Sequence, residues 1–320
     1  MKVFGGRFIA STLLLLSLIV LSSVSVAFAQ ETDDPVKIEI YKRFYDNRNN
    51  NQAAAYTAAR DYLQKYSKDK DQYVDYLQKW VMFYERDERK RTLPGLINEK
   101  KFAEAYSVGA KILADEPDNL RAQIDLGYAG YLAASAKNET FNADALNYAR
   151  KAIAAIDGGK VPGEWAPFKG KEDTLAYLHY AVGYLTLKSN PDQAIDSFLK
   201  AAQFESDIKK TPSTYFFLGS AYEAGPYKAQ SAAYQTQFGN KTETPESKVA
   251  LDKIKVLLDR IVDAYARAIA SAGADPKTET SRKEWLAHVT PLYKFTHGDS
   301  EAGLTEYIAS VLSKPLPPKP

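Results

Sequence analysis

Beyond residue 34 the apolar positions of this chain recur three and four residues apart, the period of a buried helix face. Residues 71–88 show it most clearly. Tyr73, Tyr76, Leu77, Trp80, Phe83 and Tyr84 fall at offsets 0, 3, 4, 7, 10 and 11, with Asp75, Gln78, Lys79 and Glu85 on the other side. That spacing predicts one amphipathic helix of about five turns. The pairs Asp34-Pro35, Asn190-Pro191, Thr211-Pro212 and Thr244-Pro245 each set a capping side chain before a proline. The proline forces its predecessor into the extended conformation of an N-cap, so four helix starts are predicted there. Sustained alternation with hairpin glycines is missing, and no sheet is expected.

The helical segments carry a second pattern. In Tyr215-Phe216-Phe217-Leu218-Gly219-Ser220-Ala221-Tyr222 an aromatic, a Leu-Gly pair and a second aromatic follow one another; in Ala194-Ile195-Asp196-Ser197-Phe198-Leu199-Lys200-Ala201 the order is small, aromatic, small. These resemble the first and second helices of a tetratricopeptide repeat (TPR). Ala105 and Pro117, Ala264 and Pro276, and Gly303 and Pro315 are each twelve residues apart, as are that family's inter-helix small residue and terminating proline. The resemblance implies an all-α fold, an irregular right-handed α-solenoid of antiparallel helix pairs over residues 35–315, followed by a Pro-rich tail at 316–320. It also implies packing roles for Ala105, Ala145, Ala194, Ala201, Leu218, Gly219, Ala264 and Gly303. Small residues in the inter-helix role recur at Ala55, Ala105, Ala145, Ala194, Ala264 and Gly303, at intervals of 50, 40, 49, 70 and 39, all above the family's 34. Lengthened helices or inserted loops are therefore expected, and residues 157–173 and 225–243 are the visible insertions.

The first 29 residues stand apart. Lys2 and Arg7 precede a nine-residue apolar core at 13–21, and Ala27-Phe28-Ala29 offers small residues where a signal peptidase needs them. This is the pattern of a secretory signal peptide with the mature chain starting at Gln30 and a short linker at 30–34; an uncleaved anchor is the alternative, since 22 weakly polar residues could span a bilayer. An exported location, periplasmic or extracellular, follows. With Lys2 and Arg7 set aside, 40 basic residues face 40 acidic ones, so no long-range field invites nucleic acid or anionic lipid. The dense run at 85–91 mixes both signs and is expected to be a solvated helix end.

Chemistry is sparse. The 320 residues include no cysteine and three histidines, which removes thiolate metal sites, cysteine nucleophiles and disulfides, and leaves no expected cofactor or metal. No zinc-hydrolase, nucleophile-elbow, phosphate-loop or dinucleotide motif occurs. His179 is expected to pack in a helix and His297 to cap one. Glu164-Trp165 pairs an acid with an aromatic platform, as a glycosidase would, but no second carboxylate can be assigned. The chain is therefore read as a non-enzymatic protein.

In the TPR family the first helices line a concave face that holds peptides or partner helices. Aligned on Leu126-Gly127, Val182-Gly183 and Leu218-Gly219, that face would carry Tyr128, Tyr131, Tyr177, Tyr180, Tyr184 and Phe216. Two readings follow: a ring-lined channel for a protein or peptide partner, or rings packed between successive helices. The functional expectation is a scaffold or adaptor in envelope assembly, secretion or surface organisation. A protein that binds or trims envelope polysaccharide on aromatic platforms is the alternative.

Overall fold

The structure, a computed structural model, describes residues 34–69 and 71–320. The expected signal segment at 1–29, and all of the expected linker except Asp34, lie outside them. Among the described residues every regular element is helical and no strand occurs. The single array expected over 35–315 divides into two compact units, one ending at Met82 and one running from Phe83 to Pro320.

The first unit packs α1 (Pro35–Asn47), α2 (Gln52–Tyr66) and the start of α3 (Gln72–Asn98). Asp34 caps α1 by accepting from the Val36 amide at 2.9 Å, and Asp71 begins α3 by accepting from the Tyr73 and Val74 amides. The core holds Ile40, Phe44, Ala55, Ala59, Tyr62, Val74, Leu77 and Val81. The buried stripe of α3 is thus Val74, Leu77 and Val81, while Tyr76 and Phe83, expected on that face, are 45% and 62% exposed. The aromatics drew the expected axis to one side of the narrower aliphatic seam.

The rest of α3 belongs to the second unit, and the charge run lies mid-helix rather than at a helix end. Arg86 and Lys90 donate to Glu116 at 2.8 and 2.6 Å, and Arg89 donates to Asp115 at 2.6 Å. Their partners sit at the C-terminus of α4 (Phe102–Asp115), where cations also complement the helix dipole. The hydrogen bonds from Lys90 and Asn119 hold the Glu116 carboxyl down at about 2.

Next come α5 (Leu120–Ser135), α6 (Asn142–Asp157), α7 (Lys171–Thr186), α8 (Pro191–Ala201) and α9 (Pro212–Tyr222). Each packs on the next, and α9 packs most extensively on α11 (Pro245–Ala272). All four Xaa-Pro helix starts are found at α1, α8, α9 and α11. Asn190 accepts from the Gln193 amide at 3.2 Å, and Thr244 forms a reciprocal capping box with Ser247. The Leu-Gly or Val-Gly pairs mark one close approach made three times. A Cβ on Gly127 would meet the Ala149 backbone at 2.9 Å, one on Gly183 the Phe198 ring at 2.9 Å, and one on Gly219 the Tyr265 ring at 2.9 Å. Only hydrogen fits at these three places.

Ala105, Ala145, Ala194, Ala201 and Ala264 are fully buried, and Leu218 and Gly219 are buried beside them. Gly303 does not share that role. It is exposed, has φ +90° and stands at the N-terminus of α13 (Leu304–Ser310), so it serves a left-handed turn rather than a helix contact. Of the two insertions, 158–170 is a loop that folds Phe168 and Trp165 onto the α5–α7 core. The other is mostly helix: α9 passes through a π-helical turn, Glu223–Tyr227, into α10 (Lys228–Phe238). Pro226 lies inside that turn, and a widened turn accommodates a ring that an α-helical ladder cannot bond. The chain closes with α12 (Glu279–Thr296), α13 and an extended segment from Lys314 onward. No helix among the described residues is long and apolar enough to cross a membrane.

Candidate functional site

The six aromatic residues aligned on the glycines do come together, as parts of one continuous seam over α5, α7 and α9. Tyr128 meets Tyr131 with ring centroids 5.9 Å apart, and meets Tyr177 edge-on at 5.6 Å. Tyr131 takes the edges of Tyr180 and Tyr184, both at 5.3 Å. Tyr184 continues to Phe217 at 5.3 Å, and Phe217 to Phe216 at 5.4 Å. The near-perpendicular contacts among them, Tyr128–Tyr177, Tyr131–Tyr180, Tyr131–Tyr184 and Tyr184–Phe217, place the positive edge of one ring against the negative face of the other.

The seam is not uniformly accessible. Tyr128, Tyr131, Tyr177, Tyr184 and Phe216 are half-buried, but Tyr180 is 3% exposed. The expectation that Tyr180 faces a groove is corrected: its ring lies among Tyr131, Phe198 and Phe217, and its hydroxyl pairs with Ser213 Oγ at 2.8 Å. On a helix face only 60° separates residues three apart, and α8 and α9 close over that side. Phe216 is also not open, since Trp285 of α12 stacks on it at 5.2 Å. Phe168, from the 158–170 loop, covers the other end by packing against Tyr128 and Tyr177. Four rings, Tyr128, Tyr131, Tyr177 and Tyr184, are left presenting part of their area.

Burial raises the phenol pKa values of Tyr131, Tyr177 and Tyr180, and pushes Tyr128 up to about 12. All four stay protonated near neutrality and offer hydroxyls that both donate and accept. The seam is thus an apolar surface edged with neutral hydrogen-bonding groups.

Beside Phe216 stands a polar cluster that sequence reasoning missed. Glu223, first residue of the π-helical turn, accepts from the Tyr265 hydroxyl at 2.9 Å and pairs with His288 Nε2 at 2.7 Å. Ser220 Oγ lies 3.3 Å from the same phenol, and His288 stands edge-on to the Tyr265 ring. Its members come from three helices between 220 and 288, so no local motif announces it. It fastens α12 to α9 and α11 at the end of the seam.

His179 stacks near Phe204 and is held below its ordinary pKa by burial; His297 stacks on Tyr293 and ends α12. Glu164 pairs with Arg121, which also holds the buried Asp125. Desolvation raises Asp125 to about 6 despite that arginine. Among the described residues no cluster of histidine, aspartate and glutamate could hold a metal ion.

No protein-family model matches the chain, and no curated protein or solved structure matches it either.

Proposed function

We propose that this chain is an exported, non-enzymatic scaffold or adaptor of the tetratricopeptide type. In this reading α5 with α6, α7 with α8, and α9 with α11 are successive antiparallel pairs of an irregular right-handed solenoid, and their first helices hold a protein or peptide partner. The recurrent glycine contact of α5, α7 and α9 with their partner helices supports the pairing. The observation that carries the binding role is the seam itself. Four partly exposed tyrosines stand side by side on two successive helices, braced by rings behind them. Rings with two rotatable bonds fixed by their neighbours lose little entropy when a partner covers them. Export rests on the basic, apolar and small-residue order of residues 1–29, and a place in envelope assembly, secretion or surface organisation follows from it.

The test replaces Tyr177 or Tyr184 with a photo-reactive amino acid in intact cells, with Val161, 69% exposed on the 158–170 loop, as control position. Cross-links to a defined protein from the two seam positions and not from Val161 are the expected result. Cross-links to polysaccharide would favour the carbohydrate-handling alternative, and equal yields at all three positions would overturn the assignment.

A further inference from the structure

A second surface, on α8 and α11, holds residues 314–319 of the chain. Arg267 is 4% exposed and Asp263 7%, and they pair at 2.6 Å one helical turn apart. The Tyr307 hydroxyl donates to the other oxygen of Asp263 at 2.8 Å. A buried charge pair is retained at a desolvation cost, so where its remaining donors point is informative. Arg267 Nη2 donates to the backbone carbonyls of Lys314 and Pro315, at 3.1 and 2.8 Å. Arg260, seven residues earlier on the same helix, donates through Nε to the carbonyl of Pro318 at 2.9 Å.

The two spacings agree. Seven residues of α-helix advance about 10.5 Å. Three residues of polyproline II advance about 9.3 Å and return a carbonyl to the same side. The segment runs opposite to α11, meeting Arg267 at Pro315 and Arg260 at Pro318. Prolines at 315, 317 and 318 fix φ and carry no N–H, so the ligand presents acceptors to a surface that presents donors. Leu316 fills the apolar patch of Ala202, Tyr215 and Ala268. Lys319 Nζ reaches the Asp196 carboxylate at 3.0 Å and the Asp192 carbonyl at 3.2 Å on α8. The segment does not fill its surroundings: a cleft of about 1000 Å³ remains along it beside Tyr215 and Lys210, and one of about 360 Å³ beside Tyr222 and Pro226.

We propose that this face of α8 and α11 is a binding site for an extended proline-rich peptide, filled here by the chain's own residues 314–319 and able to take the same segment from a second copy of the chain. Receptor and ligand stand on one polypeptide, joined through the short turn at Val311–Ser313. The intramolecular contact therefore wins at low concentration, and exchange between copies needs a concentration approaching the local one, on the order of millimolar.

The chain has no cysteine, so Pro320→Cys carries a single fluorophore in the 320-residue chain. Its anisotropy should drop in Arg260→Glu at unchanged helix content, and should also drop, saturably, as millimolar Lys-Pro-Leu-Pro-Pro-Lys-Pro peptide is added. A peptide with its prolines changed to alanine should act at least tenfold more weakly. A second variant of the whole 320-residue chain, Pro317→Ala with Pro318→Ala and Lys319→Glu, keeps the site and spoils the segment. Mixing it with labelled Arg260→Glu, which cannot hold a segment, should restore high anisotropy and sediment as a one-to-one complex. Anisotropy unmoved by Arg260→Glu, or equal competition by the alanine peptide, would overturn the site. Displacement by peptide without complex formation at hundreds of micromolar would overturn the second copy as its source.

Discussion

Truncating Tyr180 separates a ring that packs from one that binds. The side chain is 3% exposed and touches three other rings, at centroid distances of 5.3 Å to Tyr131, 5.7 Å to Phe198 and 6.3 Å to Phe217. Tyr180→Ala removes all three contacts and leaves a cavity among α5, α8 and α9, for which buried aromatic truncations cost about 3–5 kcal/mol. Tyr180→Phe keeps the ring and loses only the 2.8 Å bond to Ser213, a cost of about 0.5–1.5 kcal/mol. Tyr184→Ala deletes a half-buried ring from the same helix face, and should cost about 1–2 kcal/mol, around half the value of full burial.

Urea unfolding followed by far-ultraviolet circular dichroism reads the three variants, with stability taken from the midpoint at constant slope. The expected order of stability loss is Tyr180→Ala, then Tyr184→Ala, then Tyr180→Phe. If Tyr180→Ala lost less than about 1 kcal/mol, below any cavity cost of this size, the ring would be a surface group and the seam's accessible set would have to include it. Partner capture should respond in the opposite sense, with Tyr184→Ala weakening it although it costs less stability than Tyr180→Ala.

Gly130→Ala should lose about 1–3 kcal/mol in thermal or chemical unfolding, because its Cβ would fall 2.1 Å from Ala145 Cβ; Gly95→Ala, exposed in α3 with nothing within 4 Å of its Cβ, should gain about 0.5–1 kcal/mol. Asp125, raised to about 6 by burial, binds its proton more tightly folded than unfolded, so its contribution is present below about pH 4 and is lost as pH rises through 6. Asp125→Asn should therefore be more stable relative to wild type at pH 7 than at pH 4, by about 2 kcal/mol, in urea melts at the two values. Replacing α10, which has no buried residue, by ten Gly/Ser residues reaching about 17 Å should cost no more than about 2 kcal/mol, the half-burial of Tyr234; a larger loss in the same melts would make α10 part of the core.

What was legible in the sequence was local. Asp34, Asn190 and Thr244 announce helix starts because a capping oxygen and a following proline act within four residues, and each makes its capping bond. The Leu-Gly and Val-Gly pairs were legible because a glycine inside a helix is costly unless something approaches it closely. The depth of each ring was not. Tyr177, Tyr180 and Tyr184 share a helix face, yet only Tyr180 is closed over, by Phe198 and Phe217, 18 and 37 positions away on two other helices. The polar composition of 225–243 resembled a loop because α10 buries no residue, and a solvated helix and a loop share that pattern. Proline content at 316–320 marked a tail, while the arginines that hold residues 315 and 318 sit 48 and 58 residues upstream.

The uneven intervals between small residues have a physical explanation in the same contacts. Gly127 meets a residue 22 positions later, Gly183 one 15 later and Gly219 one 46 later, although the approach at the glycine is the same in each. Chain length is absorbed where backbone can leave the contact and return: in the turn after α5, and in the π-helical turn and α10 after α9. A helix pair is fixed by the depth to which its partner sinks against one missing side chain, and loop closure charges little for added residues, about 0.6 kcal/mol per doubling. The contact therefore depends on the glycine and the group that fills its hollow, Ala149, Phe198 or Tyr265, and leaves the interval free. Contact chemistry at Gly127, Gly183 and Gly219 is therefore a better guide to the packing of these helices than any fixed repeat length.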